Sequence, residues 1–190
     1  MLSEAANSLS AENKVVPGPD IIEKARQVRL LILDVDGVLT DGKLYYSAHG
    51  DEFRAFSTLD GQGIKLLQDT GVKVGIISGR ESKLVKRRAE NLGIAILFQG
   101  CENKLAVLDE ILQSHGLTYA QSAYMGDDLP DLACIRRVGL GVAVANAHTL
   151  IRQHAHYATA LPGGNGAVRE MCDLILQAQN TYEDAIKRFL

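Results

Sequence analysis

The fold is decided by one stretch of the sequence, Leu30-Leu31-Ile32-Leu33-Asp34-Val35-Asp36-Gly37. Four consecutive large aliphatic residues between polar neighbours predict a strand that is buried on both faces. If the strand continued through Asp34 and Asp36, their side chains would point the same way, because direction alternates along a strand. Two adjacent carboxylates repel and need a cation, a shared proton or water. The stretch therefore predicts a ligand site at a strand end, with a solvated acidic turn as the alternative.

The composition is typical of a globular protein of one domain. The chain has 190 residues, of which 46% are hydrophobic and 23% charged, and its formal net charge is −3. The sequence has no stripe of basic residues, so we do not expect it to bind nucleic acid or anionic membranes. No apolar run has the length of a transmembrane helix. The first residues lack the apolar centre of a signal peptide, so we expect a cytoplasmic location. Three widely separated cysteines predict reduced thiols.

Strand and helix patterns alternate along the rest of the chain. Strands are predicted at 72–77, 94–98, 122–125, 139–144 and 156–160, and helices at 21–28, 63–70, 81–92, 102–115, 129–138, 147–154 and 167–179. Aromatic-rich segments on either side of a turn predict a β-hairpin at 42–57. The alternation predicts an α/β fold with an open doubly wound parallel sheet. One domain is expected at 19–180, between a loose arm at 1–18 and a polar tail at 181–190 that we expect to fray.

Polar side chains stand where three of these strands end. They are Asp34, Asp36, Ser78, Asp127 and Asp128. The carboxyl ends of parallel strands lie at one edge of a sheet, so we expect these side chains to converge there, with Lys104 from the start of a helix. Carboxylates bind Mg²⁺, whereas hydroxyl and ammonium groups bind phosphate oxygens. The sequence therefore predicts a site for magnesium and a phosphate group, and no Walker motif indicates a P-loop.

Four motifs resemble those of the haloacid dehalogenase-like phosphatases and follow the same order. They are Asp34-Val35-Asp36-Gly37-Val38-Leu39-Thr40-Asp41, Ile77-Ser78-Gly79-Arg80, Lys104 and Gly126-Asp127-Asp128-Leu129-Pro130-Asp131. The hairpin, Asp60-Gly61 and the segment Gly163-Gly164-Asn165-Gly166-Ala167-Val168-Arg169-Glu170 are similar to the 3-deoxy-D-manno-octulosonate 8-phosphate phosphatases within that superfamily. The resemblance implies a Rossmann-like haloacid dehalogenase fold without a large cap domain.

The resemblance also implies a two-step hydrolysis through an aspartyl-phosphate. Asp34 would attack phosphorus, and Asp36 would protonate the leaving oxygen and then activate water. Mg²⁺ would be held by Asp34, by the carbonyl oxygen of Asp36 and by Asp127. Two further catalytic residues, Ser78 and Lys104, would hold the transferring group, although Ser78 could instead cap a helix and Lys104 could be a solvated residue.

Substrate contacts implied by the resemblance are spread along the chain. They are Asp36, Ser57, Thr58, Leu59, Asp60, Gly61, Lys65, Arg80, Arg88 and Lys104. Ser57-Thr58-Leu59 stands where related enzymes often carry an Asn and a basic residue, and Lys65 stands where Arg is common. The expected substrate is 3-deoxy-D-manno-octulosonate 8-phosphate, an intermediate of lipopolysaccharide biosynthesis. A nine-carbon sialic-type acid 9-phosphate is the alternative substrate, and a catalytically idle binding module is the alternative to an enzyme.

The hairpin has a consequence for assembly. A single hairpin is marginally stable in water, so it should pack against something else. In the related phosphatases, hairpins from several subunits pack together, and the glycine-rich segment at 163–166 of a neighbour closes the site. The resemblance therefore implies a homo-oligomer, specifically a homotetramer.

Overall fold

Residues 17–190, which the computed structural model describes, form eight strands and eight α-helices. The strands are β1 (Leu30–Leu33), β2 (Tyr45–Tyr46), β3 (Glu52–Phe53), β4 (Lys73–Ile77), β5 (Ile96–Phe98), β6 (Ser122–Gly126), β7 (Leu140–Ala143) and β8 (Tyr157–Ala158). The helices are α1 (Pro19–Gln27), α2 (Thr58–Asp69), α3 (Lys83–Leu92), α4 (Lys104–His115), α5 (Leu132–Arg137), α6 (Thr149–His154), α7 (Ala167–Ala178) and α8 (Tyr182–Ile186). The predicted arm at 1–18 lies almost wholly outside the described residues.

Six strands form one parallel sheet in the order β5-β4-β1-β6-β7-β8. The helices that contact one another form two groups, with α1, α2, α3, α7 and α8 in one and α4, α5 and α6 in the other. This architecture confirms the predicted open doubly wound α/β sheet, in which crossover connections place helices on both faces. The insertion between β1 and α2 is the small antiparallel hairpin β2–β3, so the described residues carry no large cap domain.

Strand β1 lies at the centre of the sheet. Its four aliphatic side chains have no exposed surface, and each such burial stabilises the fold by about 1.5–3 kcal/mol. Its neighbours are β4 on one side and β6 on the other, so the chain changes its direction of travel across the sheet beside β1. Open sheets bind ligands at the carboxyl ends of strands at such a position. Asp34 is held there, since its backbone N–H donates to the Met125 carbonyl at 3.1 Å.

Helix α2 begins at Thr58, whereas the sequence predicted a start at residue 63. The hydroxyl of Ser57 caps the helix by accepting from the N–H of Asp60 at 3.3 Å. The glycines of this segment, which predict a break, allow close packing instead. A Cβ at Gly63 would lie 2.8 Å from Cδ of Arg169, so α2 packs closely against α7 only because that atom is absent.

The tail at 181–190, which we expected to fray, forms α8 and a following 3₁₀ turn. Tyr182 and Ile186, one helical turn apart, are partly buried against the core. Arg188 donates a hydrogen bond to the carboxylate of Asp69 at 2.7 Å. Apolar residues at helical spacing within a polar segment therefore dock this tail on the domain.

The hairpin confirms the prediction for 42–57, although each strand has only two residues. Tyr45 pairs with Phe53, and Tyr46 pairs with Glu52. Tyr46 is 62% exposed and Phe53 57%, so the aromatic side chains are not buried within this chain. Among the described residues, no helix has the length and apolar character needed to cross a bilayer.

Candidate active site

The turn after β1 gives the two carboxylates different surroundings. The strand ends one residue before Asp34, and Val35–Leu39 forms a tight turn in which Gly37 has a φ of +91°. The side chain of Asp34 is 10% exposed, whereas that of Asp36 is 25% exposed. The hydroxyl of Thr40 tightens the turn by accepting from the N–H of Gly37 at 3.3 Å. The two carboxylates are therefore not equivalent, since one is buried and the other reaches the rim.

A buried chain of polar groups starts at Asp34. The Lys104 ammonium lies 2.8 Å from an Asp34 carboxylate oxygen and 2.7 Å from Oδ1 of Asp131. The Tyr124 hydroxyl donates to the same Asp131 oxygen at 2.8 Å. Burial acts to lower the pKa of Lys104, but the two carboxylates outweigh it and raise that pKa. Lys104 is 4% exposed, so it is a paired buried cation and not the solvated helix residue of the alternative interpretation.

Asp131 also braces the loop that follows β6. Its Oδ2 accepts from the backbone N–H of Asp127 at 3.0 Å and from that of Asp128 at 3.4 Å. Oxygen atoms of Asp34, Asp127 and Asp131 lie within 4.8 Å of one another. Burial, reinforced by the charge of Asp131, raises the pKa of both Asp34 and Asp127 to about 7. Such a buried cluster of carboxylates fits a hard divalent cation, whose charge offsets their repulsion.

Gly37 brings the turn against this cluster. A Cβ at that position would lie 2.0 Å from Oδ2 of Asp127, closer than any side chain allows. The positive φ of +91° is a second reason for glycine, since residues with a Cβ are strained there. Glycine is therefore required for the turn after Asp34 to approach the loop after β6.

Ser78 lies at the same edge, one residue beyond β4, and is 1% exposed. Its N–H donates to the Phe98 carbonyl at 2.9 Å, which fixes its backbone beside β5. Its hydroxyl accepts from the N–H of Arg80 at 3.3 Å. The N-terminal cap of α3 is Ser82, so the capping role that the sequence left open for Ser78 belongs to Ser82.

Asp36 has a partner that the sequence did not indicate. Nη1 of Arg54, from the residue after β3, donates to Oδ1 of Asp36 at 2.6 Å, and Nε of Arg54 donates to Glu52 at 2.9 Å. Arg80 is more distant, with Nε 4.0 Å from Oδ2 of Asp36, and it donates to the hydroxyl of Tyr46 at 3.2 Å. The hairpin therefore reaches over the site and contacts the outer carboxylate.

The predicted substrate segment at 57–61 forms the N-cap and first turn of α2. Thr58 and Leu59 are exposed, and the Arg88 guanidinium donates to the Ser57 carbonyl at 2.8 Å. Asp60 is 1% exposed, and its carboxylate accepts from the N–H of Arg169 at 2.8 Å at the start of α7. The structure thus gives Asp60 a structural contact that the sequence did not indicate, and its contact with substrate stays a prediction.

The remaining predicted substrate residues are arranged around this turn. Gly61 is buried beside Arg88, because a Cβ there would lie 2.4 Å from Nη2 of that residue. Lys65 is exposed on α2, and its ammonium makes no hydrogen bond or ion pair within residues 17–190. Arg88 is therefore brought to the N-terminal turn of α2, whereas Lys65 lies on the exposed face of that helix.

The glycine-rich segment at 163–166 packs on the turn of its own chain. The N–H of Gly164 donates to the Val38 carbonyl at 2.8 Å, and a Cβ at Gly163 would lie 1.7 Å from the carbonyl oxygen of Gly37. Asn146 accepts from the N–H of Gly163 at 2.9 Å. The segment supports the turn that carries Asp36 within one chain, whereas closure of a neighbour's site stays a prediction.

Comparison with known proteins agrees with this geometry. Residues 94–171 match the model of a family described as haloacid dehalogenase-like hydrolase. The chain is 48% identical over 166 residues to the 3-deoxy-D-manno-octulosonate 8-phosphate phosphatase of Escherichia coli K12, covering 87% of this chain and 88% of that protein. The Yersinia pestis protein of the same name is 49% identical over 166 residues, with 87% and 89% covered.

A solved structure with a similar fold carries ligands. The 3-deoxy-D-manno-octulosonate 8-phosphate phosphatase of Moraxella catarrhalis, in complex with magnesium ion, phosphate ion and KDO, is 43% identical. Its TM-score is 0.88, and the match covers 90% of this chain and 98% of that one. The chain therefore belongs to the haloacid dehalogenase-like hydrolases, in the family of the 3-deoxy-D-manno-octulosonate 8-phosphate phosphatases.

Proposed function

We propose that this chain is a phosphoric monoester hydrolase that uses Mg²⁺ to hydrolyse 3-deoxy-D-manno-octulosonate 8-phosphate to the free sugar acid and phosphate. The observation that carries the proposal is the cluster of Asp34, Asp127 and Asp131 beside the buried Lys104 ammonium. It stands in a chain 48% identical to a curated phosphatase of that name. A cytoplasmic location and a role in lipopolysaccharide biosynthesis belong to the same proposal.

Asp34 is the nucleophile of the proposed reaction. One of its carboxylate oxygens forms a bond to phosphorus while the bond from phosphorus to the sugar oxygen breaks, which leaves an aspartyl-phosphate. Lys104 holds that carboxylate at 2.8 Å and offsets the negative charge that gathers around phosphorus. Ser78, buried at the same edge, binds an oxygen of the transferring group.

Asp36 is the acid and base of the proposed reaction. It gives its proton to the leaving sugar oxygen and then takes a proton from the water that attacks the aspartyl-phosphate. The more exposed position of Asp36 suits proton exchange at the rim, whereas the buried Asp34 suits attack on a bound phosphate. Mg²⁺ would be held by Asp34, Asp127 and the carbonyl oxygen of Asp36, and when bound it supplies positive charge between the carboxylates and the phosphate.

The test is phosphate release over a panel of sugar phosphates, with Mg²⁺ and with a chelator. We expect turnover only with metal and the highest kcat/KM for the eight-carbon acid phosphate. The replacement Asp127→Asn should weaken the dependence on Mg²⁺, whereas Asp69→Asn, on the exposed end of α2, should not. Equal turnover with chelator would contradict the mechanism, and no turnover on any substrate would support an idle binding module.

A nine-carbon sialic-type acid 9-phosphate is the second candidate substrate. It stays a candidate because Ser57, Thr58 and Leu59 at the start of α2, and Lys65, stand where related enzymes often carry other residues, and these positions bear on substrate identity. The same panel decides between the two, because it includes both sugar-acid phosphates. A higher kcat/KM for the nine-carbon acid would move the assignment to that substrate.

We also propose a homotetramer assembled through the hairpin. The support is its exposed aromatic surface, since Tyr45, Tyr46 and Phe53 are 45%, 62% and 57% exposed on a hairpin too short to be stable alone. Sedimentation should show a tetramer that Phe53→Glu dissociates, while His49→Glu in the exposed turn leaves it assembled. A fully active monomer would rule out the proposal.

A further inference from the structure

Arg54 is an arginine of the hairpin with an unusual environment. Its side chain is 1% exposed, although it belongs to a short insertion whose other side chains are mostly at the surface. Nη1 donates to Oδ1 of Asp36 at 2.6 Å, and Nε donates to Oε1 of Glu52 at 2.9 Å. The guanidinium therefore links the hairpin to a carboxylate on the turn after β1.

Burying a guanidinium costs free energy unless its donors are satisfied. Nη2 of Arg54 is buried and has no hydrogen-bond partner, although Oε1 of Glu52 lies 2.9 Å away. The strongest contact of the buried cation is the short bond to Asp36. Arg54 therefore bridges two carboxylates, Glu52 on the hairpin and Asp36 on the turn after β1, with the shorter hydrogen bond to Asp36.

Asp36 depends on this contact for its orientation. Among the described residues, Arg54 donates the one hydrogen bond that the Asp36 carboxylate accepts, and Arg80 stands at 4.0 Å with a side chain that is 45% exposed. Without Arg54, the carboxylate would be free to rotate at the rim.

We propose that Arg54 is a positioning residue for the proton transfer made by Asp36, an inference that rests on the proposed function. In that step, an Asp34 oxygen bonds to phosphorus, the bond from phosphorus to the leaving oxygen breaks, and the Asp36 proton moves to that oxygen. Arg54 touches neither the phosphate nor the leaving group and acts by fixing the Asp36 carboxylate. The hairpin thereby contributes to catalysis through this residue.

The leaving group separates this role from a purely structural one. A sugar oxygen leaves as an alcohol and needs the proton, whereas 4-nitrophenolate is stable as an anion and leaves without it. A misplaced Asp36 should therefore slow the first step for alkyl phosphates only. A misplacement of about 1 Å costs on the order of 100-fold in rate, so a loss of about 10- to 100-fold is expected for the sugar phosphate.

The experiment is a single turnover with enzyme in excess and Mg²⁺ present, which reports only the release of the leaving group. Wild type, Arg54→Met and Arg54→Lys are compared on the eight-carbon acid phosphate, on a neutral sugar phosphate and on 4-nitrophenyl phosphate. We expect both sugar phosphates to slow by about 10- to 100-fold in Arg54→Met and less in Arg54→Lys. Release of 4-nitrophenolate should stay within about twofold, which also shows that the variants fold. Lys43→Met, which removes an exposed hairpin cation, should change none of the rates.

Three outcomes would overturn the proposal. Equal losses on all three substrates would indicate a structural role, and unchanged rates on all three would indicate no role. A loss confined to the acid sugar would indicate a contact with the substrate carboxylate instead of an effect through Asp36. None of these three outcomes bears on the proposed function. Failure of the wild type to cleave the acid sugar phosphate would refute the proposed function itself.

Discussion

The replacement Gly37→Ala tests whether the turn after β1 holds Asp127 in place. The new Cβ would lie 2.0 Å from Oδ2 of Asp127, more than an ångström inside van der Waals contact. The carboxylate must therefore move by about 1 Å, and a displacement of that size at a reacting centre costs on the order of 100-fold in rate. The positive φ of +91° adds about 1–2 kcal/mol of backbone strain.

The matched control is Gly71→Ala, in the turn between α2 and β4. Gly71 has a φ of +90°, and a Cβ there would meet no atom within 4 Å. Gly71→Ala should therefore lose about 1–2 kcal/mol of unfolding free energy, measured by urea denaturation, and Gly37→Ala at least as much. Only Gly37→Ala should also lose about 100-fold in kcat/KM and require more Mg²⁺ for half-maximal phosphate release.

The comparison of the two variants isolates the clash from the strain. Equal kcat/KM and equal Mg²⁺ requirement in Gly37→Ala and Gly71→Ala would refute the reasoning. It would mean that the site tolerates a side chain between the turn and Asp127, so that glycine serves only the backbone conformation.

Two further predictions concern stability. Lys104→Met should lower the unfolding free energy by about 3 kcal/mol in urea denaturation, because Asp34 and Asp131 lose their buried cation; an unchanged stability would contradict this pairing. Burial lowers the pKa of His156, whose Nδ1 accepts from the N–H of Gly141 at 2.9 Å. The charge of Lys24 lowers that pKa further, and the charge of Asp20 opposes the shift. The stability that neutral His156 contributes is therefore complete above about pH 6.5 and is lost as the pH falls through the lowered pKa. In His156→Asn, the free energy of unfolding should depend less on pH in that window. A pH profile identical to that of the wild type would contradict the assignment.

The sequence predicted the parts of the site that stand at strand ends. Asp34, Ser78 and Asp127 each follow an apolar strand, and a parallel sheet brings such ends to one edge. Lys104 was predicted from the order of motifs, and the structure pairs it with Asp34. These positions were predictable because local apolar runs determine the strands, and the strands determine the edge.

Arg54 could not be predicted in the same way. It stands 18 residues from Asp36 in an exposed hairpin, where a lone arginine is usually solvated. The one available signal is that the predicted hairpin follows the Asp34-to-Asp41 stretch directly in the sequence. The pairing depends on how the hairpin folds back over the turn, which is a tertiary contact and has no periodicity in the sequence.

The start of α2 was missed for a related reason. The predicted helix began at Gly63 and left out the preceding residues, among them Gly61, which has a low helix propensity. The helix forms because Ser57 caps it and because the glycines admit close neighbours from α3 and α7. Tertiary packing outweighed propensity, and the Ser57 cap was the local signal of the true boundary.

The central claim is that Asp34 becomes phosphorylated during turnover with Mg²⁺. The most direct measurement is mass spectrometry of protein acid-quenched during turnover of the eight-carbon acid phosphate. The account predicts one phosphoryl group on the peptide that contains Asp34, removable by hydroxylamine as an acyl phosphate should be, and its absence in a folded but inactive Asp34→Asn variant. Turnover by Asp34→Asn at the wild-type rate, or a phosphoryl group on another residue, would contradict it.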